Sequence, residues 1–539
     1  MSEKSLTRSI FCGFADSVAR FGEHPALVVN GERLSYRQLS QKVVALASVI
    51  DSVQEDSYPL VGLLAHRSVN AYAGVLGILR AGKGYVPLNP KFPPERTRSM
   101  LLLSGCRTLV VGSECLSQLA KLLPRLEQSL TVILPDVSDL ASISSEFSNH
   151  RFVFAGDISQ APPHSSWTDI EADAIAYLMF TSGSTGVPKG VPIYHRNVQS
   201  YVQYVCDRYQ VTERDRFSQE FDLTFDLSVH DMFVCWERGA CLFCVPEQSA
   251  MAPAKFIRDH ELTMWFSVPS VIGLLSRLRL LAPKSFPSLR YSLFCGEPLP
   301  AASAERWLQA ACNSLLENLY GPTETTIAIS HYRWDQKRSP EECVNGIVPI
   351  GRPFAGQIAC IVGENGVELP PGRTGELCLH GSQVTTGYWN DGDKTREQFI
   401  HLIEKGQAVW YRTGDLVRKD ESGCICYLGR TDHQCKIRGY RVELQEIEAV
   451  LRKVCNTDQA ISIPWPVREG SADGTVAIIA DKQRLDEKII LSFCSELLPP
   501  YMVPSKIYFV EHLPLNTNGK IDRPGLLKLI GGCNRERIE

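Results

Sequence analysis

An apolar run, Tyr177-Leu-Met-Phe180, passes directly into Thr181-Ser-Gly-Ser-Thr-Gly-Val-Pro-Lys-Gly190. No other segment constrains the fold as strongly. The run reads as a buried strand that must end in a loop. Four hydroxyls follow, on Thr181, Ser182, Ser184 and Thr185, and then the ammonium of Lys189. Gly183, Gly186 and Gly190 let another group approach the backbone closely. Clustered N–H and O–H donors with a lysine suit the oxygens of a polyphosphate. The spacing GxxxxGK[ST] is absent, so this is not a Walker loop. From these residues alone a flexible Ser/Gly turn stays open.

A strand that ends in such a loop belongs in a large α/β protein, and the rest of the chain agrees. Its 539 residues are 44% hydrophobic and 22% charged, which predicts several compact units and argues against disorder. With 56 Lys+Arg against 60 Asp+Glu, the net charge of −4 argues against a nucleic-acid partner. No run of 18 or more apolar residues suggests a membrane span, and the N-terminus lacks a signal-type apolar stretch. A cytoplasmic location is therefore expected, with the 18 cysteines as reduced thiols. Cys241 and Cys244 form a CxxC inside an apolar run, which predicts buried strand thiols and no zinc site.

The patterning alternates. Ala71–Arg80 has helical spacing, Tyr85–Leu88 reads as a strand, and Pro94 opens another helix. Leu109–Val111 and Thr131–Leu134 read as strands around a helix over Leu116–Leu126. Residues 346–430 are richer in short strands and turns. Beyond Arg430, Glu443–Val454 reads as a helix, acidic early and basic late, followed by strands at 460–463, 475–480 and 506–510 around a helix at 485–498. The expectation is a large region of two βαβ-type sheets plus a small β-barrel-like subdomain over 1–431. A small mobile α+β domain is expected over 432–539.

The loop resembles the phosphate-binding loop of the adenylate-forming enzymes, which include acyl-CoA synthetases, luciferases and the adenylation domains of nonribosomal peptide synthetases. Further segments match that family's motifs in order: Leu34–Leu39, Leu79–Asn89, Asn318-Leu-Tyr-Gly-Pro-Thr-Glu-Thr-Thr326, Gly375–Trp389, Tyr411–Leu416, Gly429–Glu443 and Asn518-Gly-Lys-Ile-Asp522. The resemblance covers nearly the whole chain, and it implies an enzyme that activates a carboxylic acid with ATP and Mg²⁺. Residues Thr181, Ser182, Gly183, Ser184, Thr185 and Lys189 would hold the β- and γ-phosphates. Thr323 would meet the α-phosphate and Glu324 the metal ion. Gly296-Glu297-Pro298, Tyr320 and Gly321 would flank the adenine, with Asp415 and Arg430 at the ribose. Lys520 would bridge substrate carboxylate and phosphate as charge builds, and Asp432 would be the hinge about which the small domain turns.

Phe221–Phe233 resembles the substrate motif of the amino-acid-activating members, with Asp226 at the position that takes the α-ammonium group. Asp222 is read as structural. The implied pocket adds Leu227, His230, Ser267, Leu293, Cys295, Leu319, Ile327 and Ala328. Apart from Asp226 and Lys520 it holds no fixed charge, so a small neutral amino acid is expected, alanine or proline first. Several positions look most like the D-alanine– and prolyl–carrier-protein ligases, although His230 departs from the former, which are apolar there. No carrier motif follows Asp522 and no condensation motif precedes the core, so the resemblance points to a free-standing enzyme. It would serve the phosphopantetheine thiol of a separate carrier protein. A coenzyme A ligase for a small acid and a non-catalytic nucleotide-binding relative are the competing readings.

Overall fold

The computed structural model describes residues 8–533, apart from 56, 140–144, 161–169, 184–186, 251, 403–404, 433, 469–470, 481–484 and 515–520. The chain forms two compact units, one of Met1–Pro90, Thr97–Phe180 and Lys189–Asp432, the other of Lys91–Arg96, Thr181–Pro188 and His433–Glu539.

In the larger unit the apolar runs pair as parallel strands, the arrangement in which a strand is covered on both faces and loses its alternation. A seven-stranded sheet runs in the order Arg151–Phe154, Thr131–Leu134, Thr108–Val111, Leu60–Leu64, Gly84–Leu88, Ile175–Thr181, Lys189–Tyr194. Its pairings from Arg151–Phe154 through to Ile175–Thr181 are parallel. A nine-stranded sheet has Cys241–Cys244, Arg216–Gln219, β1 (Met264–Ser267), β2 (Tyr291–Phe294) and β3 (Leu315–Tyr320) as adjacent parallel strands. Antiparallel pairs close both of its ends. A third, five-stranded antiparallel sheet contains Thr374–His380, Val409–Lys419 and Ile425–Arg430.

One apolar cluster joins Tyr85 and Tyr177 of the first sheet with Phe217, Phe266 and Leu293 of the second. The helices Tyr36–Val53, Val69–Arg80, α1 (His195–Tyr209) and α2 (Leu227–Glu237) contribute to the same cluster. The first of these starts at a capping box: Ser35 Oγ accepts from Gln38 N at 3.2 Å and Gln38 Oε1 accepts from Ser35 N at 2.9 Å. In α2 every residue from Leu227 to Trp236 is buried, so this helix has no solvent face. The opposite face of the nine-stranded sheet is covered separately, with Trp265, Phe294 and Trp307 at its centre.

The smaller unit packs α3 (Leu444–Cys455) and the helix Glu487–Leu497 against the strands Ala460–Pro464, Thr475–Ala480 and Ile507–Val510. Arg452 and Lys453 lie in the last turn of α3, which ends at Asn456 in the left-handed region with φ 48°. Cys241 and Cys244 are buried on one strand, and no cluster of three metal-ligating side chains occurs among the described residues. Of the described cysteines, Cys312 is the exposed one. Burial pushes the thiols of Cys106, Cys115, Cys241 and Cys494 up to about 12. No helix among the described residues is long and apolar enough to cross a membrane.

Candidate active site

Three groups of the expected site residues assemble in the larger unit. The first gathers at the end of the third sheet. Asp415 Oδ1 accepts from Arg430 Nη1 at 2.6 Å, and its other oxygen accepts from the hydroxyl of Tyr320. Pairing of Asp415 with Arg430 across adjacent strands produces this contact. The same guanidinium donates to both oxygens of Asp432, each at 2.7 Å. Gly414, at φ 72°, has no room for a side chain, because a Cβ there would meet Arg430 Nη2 at 2.6 Å. Burial and then the Asp415 carboxylate push the Tyr320 phenol well above its usual range.

The second group surrounds Glu324. Strand β3 ends at Tyr320, and Gly321 follows because a Cβ would lie 2.6 Å from the Ala328 backbone. A short turn over Thr323–Thr325 then carries Glu324 inward to full burial, while Thr323 stays half-buried. Glu324 Oε1 accepts from the Tyr388 hydroxyl at 2.8 Å, and the Lys189 ammonium stands over the same ring, 5.3 Å from its centroid. Thr326 and Ile327 both have positive φ, 59° and 71°, which is costly for β-branched residues and marks a strained loop. Buried Gln383 braces it: its amide nitrogen lies 2.7, 3.4 and 3.5 Å from the carbonyl oxygens of Ala328, Thr326 and Thr325.

The third group is the set of side chains expected to line the substrate pocket. Asp226, 4% exposed, stands immediately before α2, and its carboxylate adds to the burial that pushes the phenols of Tyr85, Tyr177 and Tyr201 up. Leu227, Leu293, Cys295, Leu319, Ile327 and Ala328 are all buried in one apolar cluster. His230 is buried among rings, 4.5 Å from Phe266 between centroids, and its Nδ1 lies 2.8 Å from the Tyr201 hydroxyl. Burial lowers its pKa to about 3, so the imidazole is neutral.

Ser267 does not join this group. Strand alternation puts it on the face of β1 that also carries Trp265, whose Nε1 donates to Ser267 Oγ at 3.0 Å. Phe266 takes the pocket-side place and pairs in register with Leu293 of β2. The cue was in the sequence, since Trp265 and Ser267 must share a face that Phe266 does not. Tyr201, Gln383 and Tyr388 were also missed, because each comes from a segment distant in sequence from the groups it holds. Gly296 and Pro298 are half-buried beside β2, and Glu297 Oε2 accepts from Ser270 N at 2.9 Å, at the start of the helix Ser270–Arg277. Asp222 accepts from Thr224 N at 3.0 Å and pairs with His66 at 3.2 Å, a local structural role.

In the smaller unit, Ser182 Oγ donates to the Arg441 carbonyl at 2.9 Å and accepts from Glu443 N at 3.1 Å. Gly183 N donates to Glu446 Oε2 at 3.2 Å, and Arg96 pairs with the other oxygen of that carboxylate. The Thr181 hydroxyl is buried without a hydrogen-bond partner among the described residues. Ser184, Thr185 and Lys520 lie outside the described residues.

Residues 14–389 match the family model of AMP-binding enzymes, and residues 446–520 match that of the AMP-binding enzyme C-terminal domain. Tyrocidine synthase 3 of Brevibacillus parabrevis is 35% identical over 95% of this chain, which spans 7% of that synthase. Bacitracin synthase 3 of Bacillus licheniformis is 33% identical over 95% of the chain, which spans 8% of that protein. Among solved structures, the Vibrio cholerae adenylation domain AlmE, in complex with glycyl-adenosine-5'-phosphate, superimposes with a TM-score of 0.88 at 34% identity. That match covers 97% of this chain and 98% of the other. Motif, architecture and relatives agree: the chain belongs to the AMP-binding, adenylate-forming enzymes, is an ATP-dependent ligase by family, and has the fold of a nonribosomal peptide synthetase adenylation domain.

Proposed function

We propose that the protein activates a small neutral amino acid as its aminoacyl adenylate and passes it to the phosphopantetheine thiol of a carrier protein. The buried carboxylate of Asp226 carries this reading. A carboxylate taken out of water among tyrosines and aliphatic side chains recovers the lost hydration best from a hydrogen-bonded cation. An α-ammonium group is such a cation, whereas a fatty or aryl acid brings none. The rest of the pocket limits size: Phe266 and His230 fill it with rings, and Cys295 stands where a glycine or alanine would leave more room. Glycine, the acid in the AlmE complex, joins alanine and proline as the leading substrates.

In the first half-reaction a substrate carboxylate oxygen bonds to the α-phosphorus of ATP as the bond to pyrophosphate breaks. In the second, the carrier's thiol sulfur bonds to the acyl carbon, AMP leaves, and the thiol proton is released. Such displacements are catalysed mainly by positioning and by neutralising phosphate charge. Hydroxyls of Thr181–Thr185 and the Lys189 ammonium are assigned to the β- and γ-phosphates, Thr323 to the α-phosphate, and Asp415 with Arg430 to the ribose. Lys520 is assigned to the substrate carboxylate and the developing charge. Glu324 fits Mg²⁺, since one buried carboxylate completed by phosphate oxygens and water is the usual donor set for that ion. Bound there, the ion would offset phosphate charge.

Amino-acid-dependent ATP–pyrophosphate exchange over a panel of amino and des-amino acids is the test. Exchange with glycine, alanine or proline is expected. Exchange with none of the amino acids removes the reading, and exchange with des-amino acids alone moves it to a coenzyme A ligase. Radiolabel transfer to a separately expressed carrier protein tests the second half-reaction.

A further inference from the structure

Tyr388 touches both charged groups of the second cluster at once. Its hydroxyl donates to Glu324 Oε1 at 2.8 Å, and its ring face lies 5.3 Å from the Lys189 ammonium. It is 6% exposed, so both contacts are made away from bulk water. The backbone on either side is pinned to the partners' own segments. Thr385 N donates to the Glu324 carbonyl at 2.9 Å, and Trp389 N donates to the carbonyl of Gly190, next to Lys189, at 2.8 Å. The ring is fixed from behind by Phe399, edge-on at 5.7 Å, and Tyr388 N donates to Thr395 Oγ1 at 2.9 Å.

We propose that Tyr388 is a positioning residue that orients Glu324 for the metal ion and Lys189 for the polyphosphate, through two separable contacts. The proposal rests on the assignment of those two residues made above. A phenol donates one hydrogen bond only. By giving it to Oε1 of Glu324, it fixes the carboxylate plane and leaves the second oxygen's lone pairs directed elsewhere, which is how an outer partner orients a metal ligand. The negative face of the ring attracts an ammonium without accepting its protons. The ring contact therefore restrains the position of Lys189 without itself taking up an N–H donor. A carboxylate in place of this ring would have neutralised the lysine. The aromatic face holds the cation without neutralising it.

Two variants separate the contacts. Tyr388→Phe keeps the ring and removes the hydroxyl. Tyr388→Leu removes both. The readouts are the Mg²⁺ concentration that half-saturates ATP–pyrophosphate exchange, and the calorimetric affinity for pyrophosphate measured without metal. For Tyr388→Phe the Mg²⁺ midpoint should rise about tenfold, the lower end of what losing an outer partner costs a metal site, with metal-free pyrophosphate affinity unchanged. For Tyr388→Leu pyrophosphate affinity should fall as well, by roughly threefold to tenfold, as expected for a lost cation–ring contact. An unchanged Mg²⁺ midpoint in Tyr388→Phe overturns the proposal, as does equal loss of pyrophosphate affinity in both variants. If Tyr388→Leu fails to fold, the Phe variant decides alone. A parent enzyme that neither binds pyrophosphate nor responds to Mg²⁺ overturns the site assignment itself, a result distinct from any outcome of the variants.

Discussion

Single side chains make the sharpest commitments. Replacing Asp226 by Ala should raise the amino-acid KM about a hundredfold, the scale of a lost desolvated charge pair, and leave the KM for ATP unchanged in exchange assays. Lys520→Ala should lower exchange by roughly a hundredfold or more while ATP binding persists, since a group that meets developing charge acts in the transition state. Tyr201→Phe leaves buried His230 Nδ1 without its phenol and should alter the ranking of amino acids in the exchange panel. Buried histidines also set an acid limit. Burial lowers His195 and His331 to about 4 and His230 to about 3. In the unfolded chain each titrates near 6.5, so below that pH the unfolded state binds more protons and stability falls as pH drops. Each histidine costs about 1.4 kcal/mol per pH unit in that window. A thermal melt series should therefore show Tm falling from pH 7 to pH 5. A flat Tm would mean these rings are not buried neutral.

At the scale of elements, the loop after β3 shows what sequence could and could not reveal. Its motif, Gly321-Pro-Thr-Glu-Thr-Thr326, is local and resembles a nucleotide segment in the sequence alone. Its strain was not legible there, because the brace is Gln383, from a segment 55 or more residues away in the chain. Gln383→Leu removes the donor shared by those carbonyls and should cost roughly 1–3 kcal/mol, read as a drop in Tm with a matching loss of exchange. Helices and strands were legible wherever a periodic apolar run met a cap or a proline. Helix Val69–Arg80 and strands Thr131–Leu134 and Thr475–Ala480 fall where the pattern put them. The expected pocket residues Leu227 and His230 on α2 are buried, as is every residue from Leu227 to Trp236. The pocket expectation failed on β1, where a shift of one residue between Phe266 and Ser267 reverses the face. Helices forgive such a slip more readily than strands.

For the whole molecule, one boundary between the units falls after Asp432, which is bonded to Arg430 at the end of the third sheet, while Lys91–Arg96 and Thr181–Pro188, expected in the large region, group with the smaller unit. As the proposed hinge, Asp432→Pro should slow transfer to the carrier thiol while adenylate formation persists, because proline fixes φ. Equal slowing of both half-reactions would remove the hinge assignment.

The cysteines have a bearing on what such a catalyst must avoid. An acyl adenylate is an indiscriminate electrophile, and the thiolate form of cysteine is the nucleophile it would meet first. The described cysteines are mostly buried, and burial keeps several of them as unreactive thiols far above neutral pH. If the proposed aminoacyl adenylate forms, the buried thiols among the described residues are poor targets for it, and Cys312 is the described thiol most open to it. Brief iodoacetamide treatment of the native enzyme, followed by peptide mass spectrometry, should place most of the alkylation of the described cysteines on Cys312.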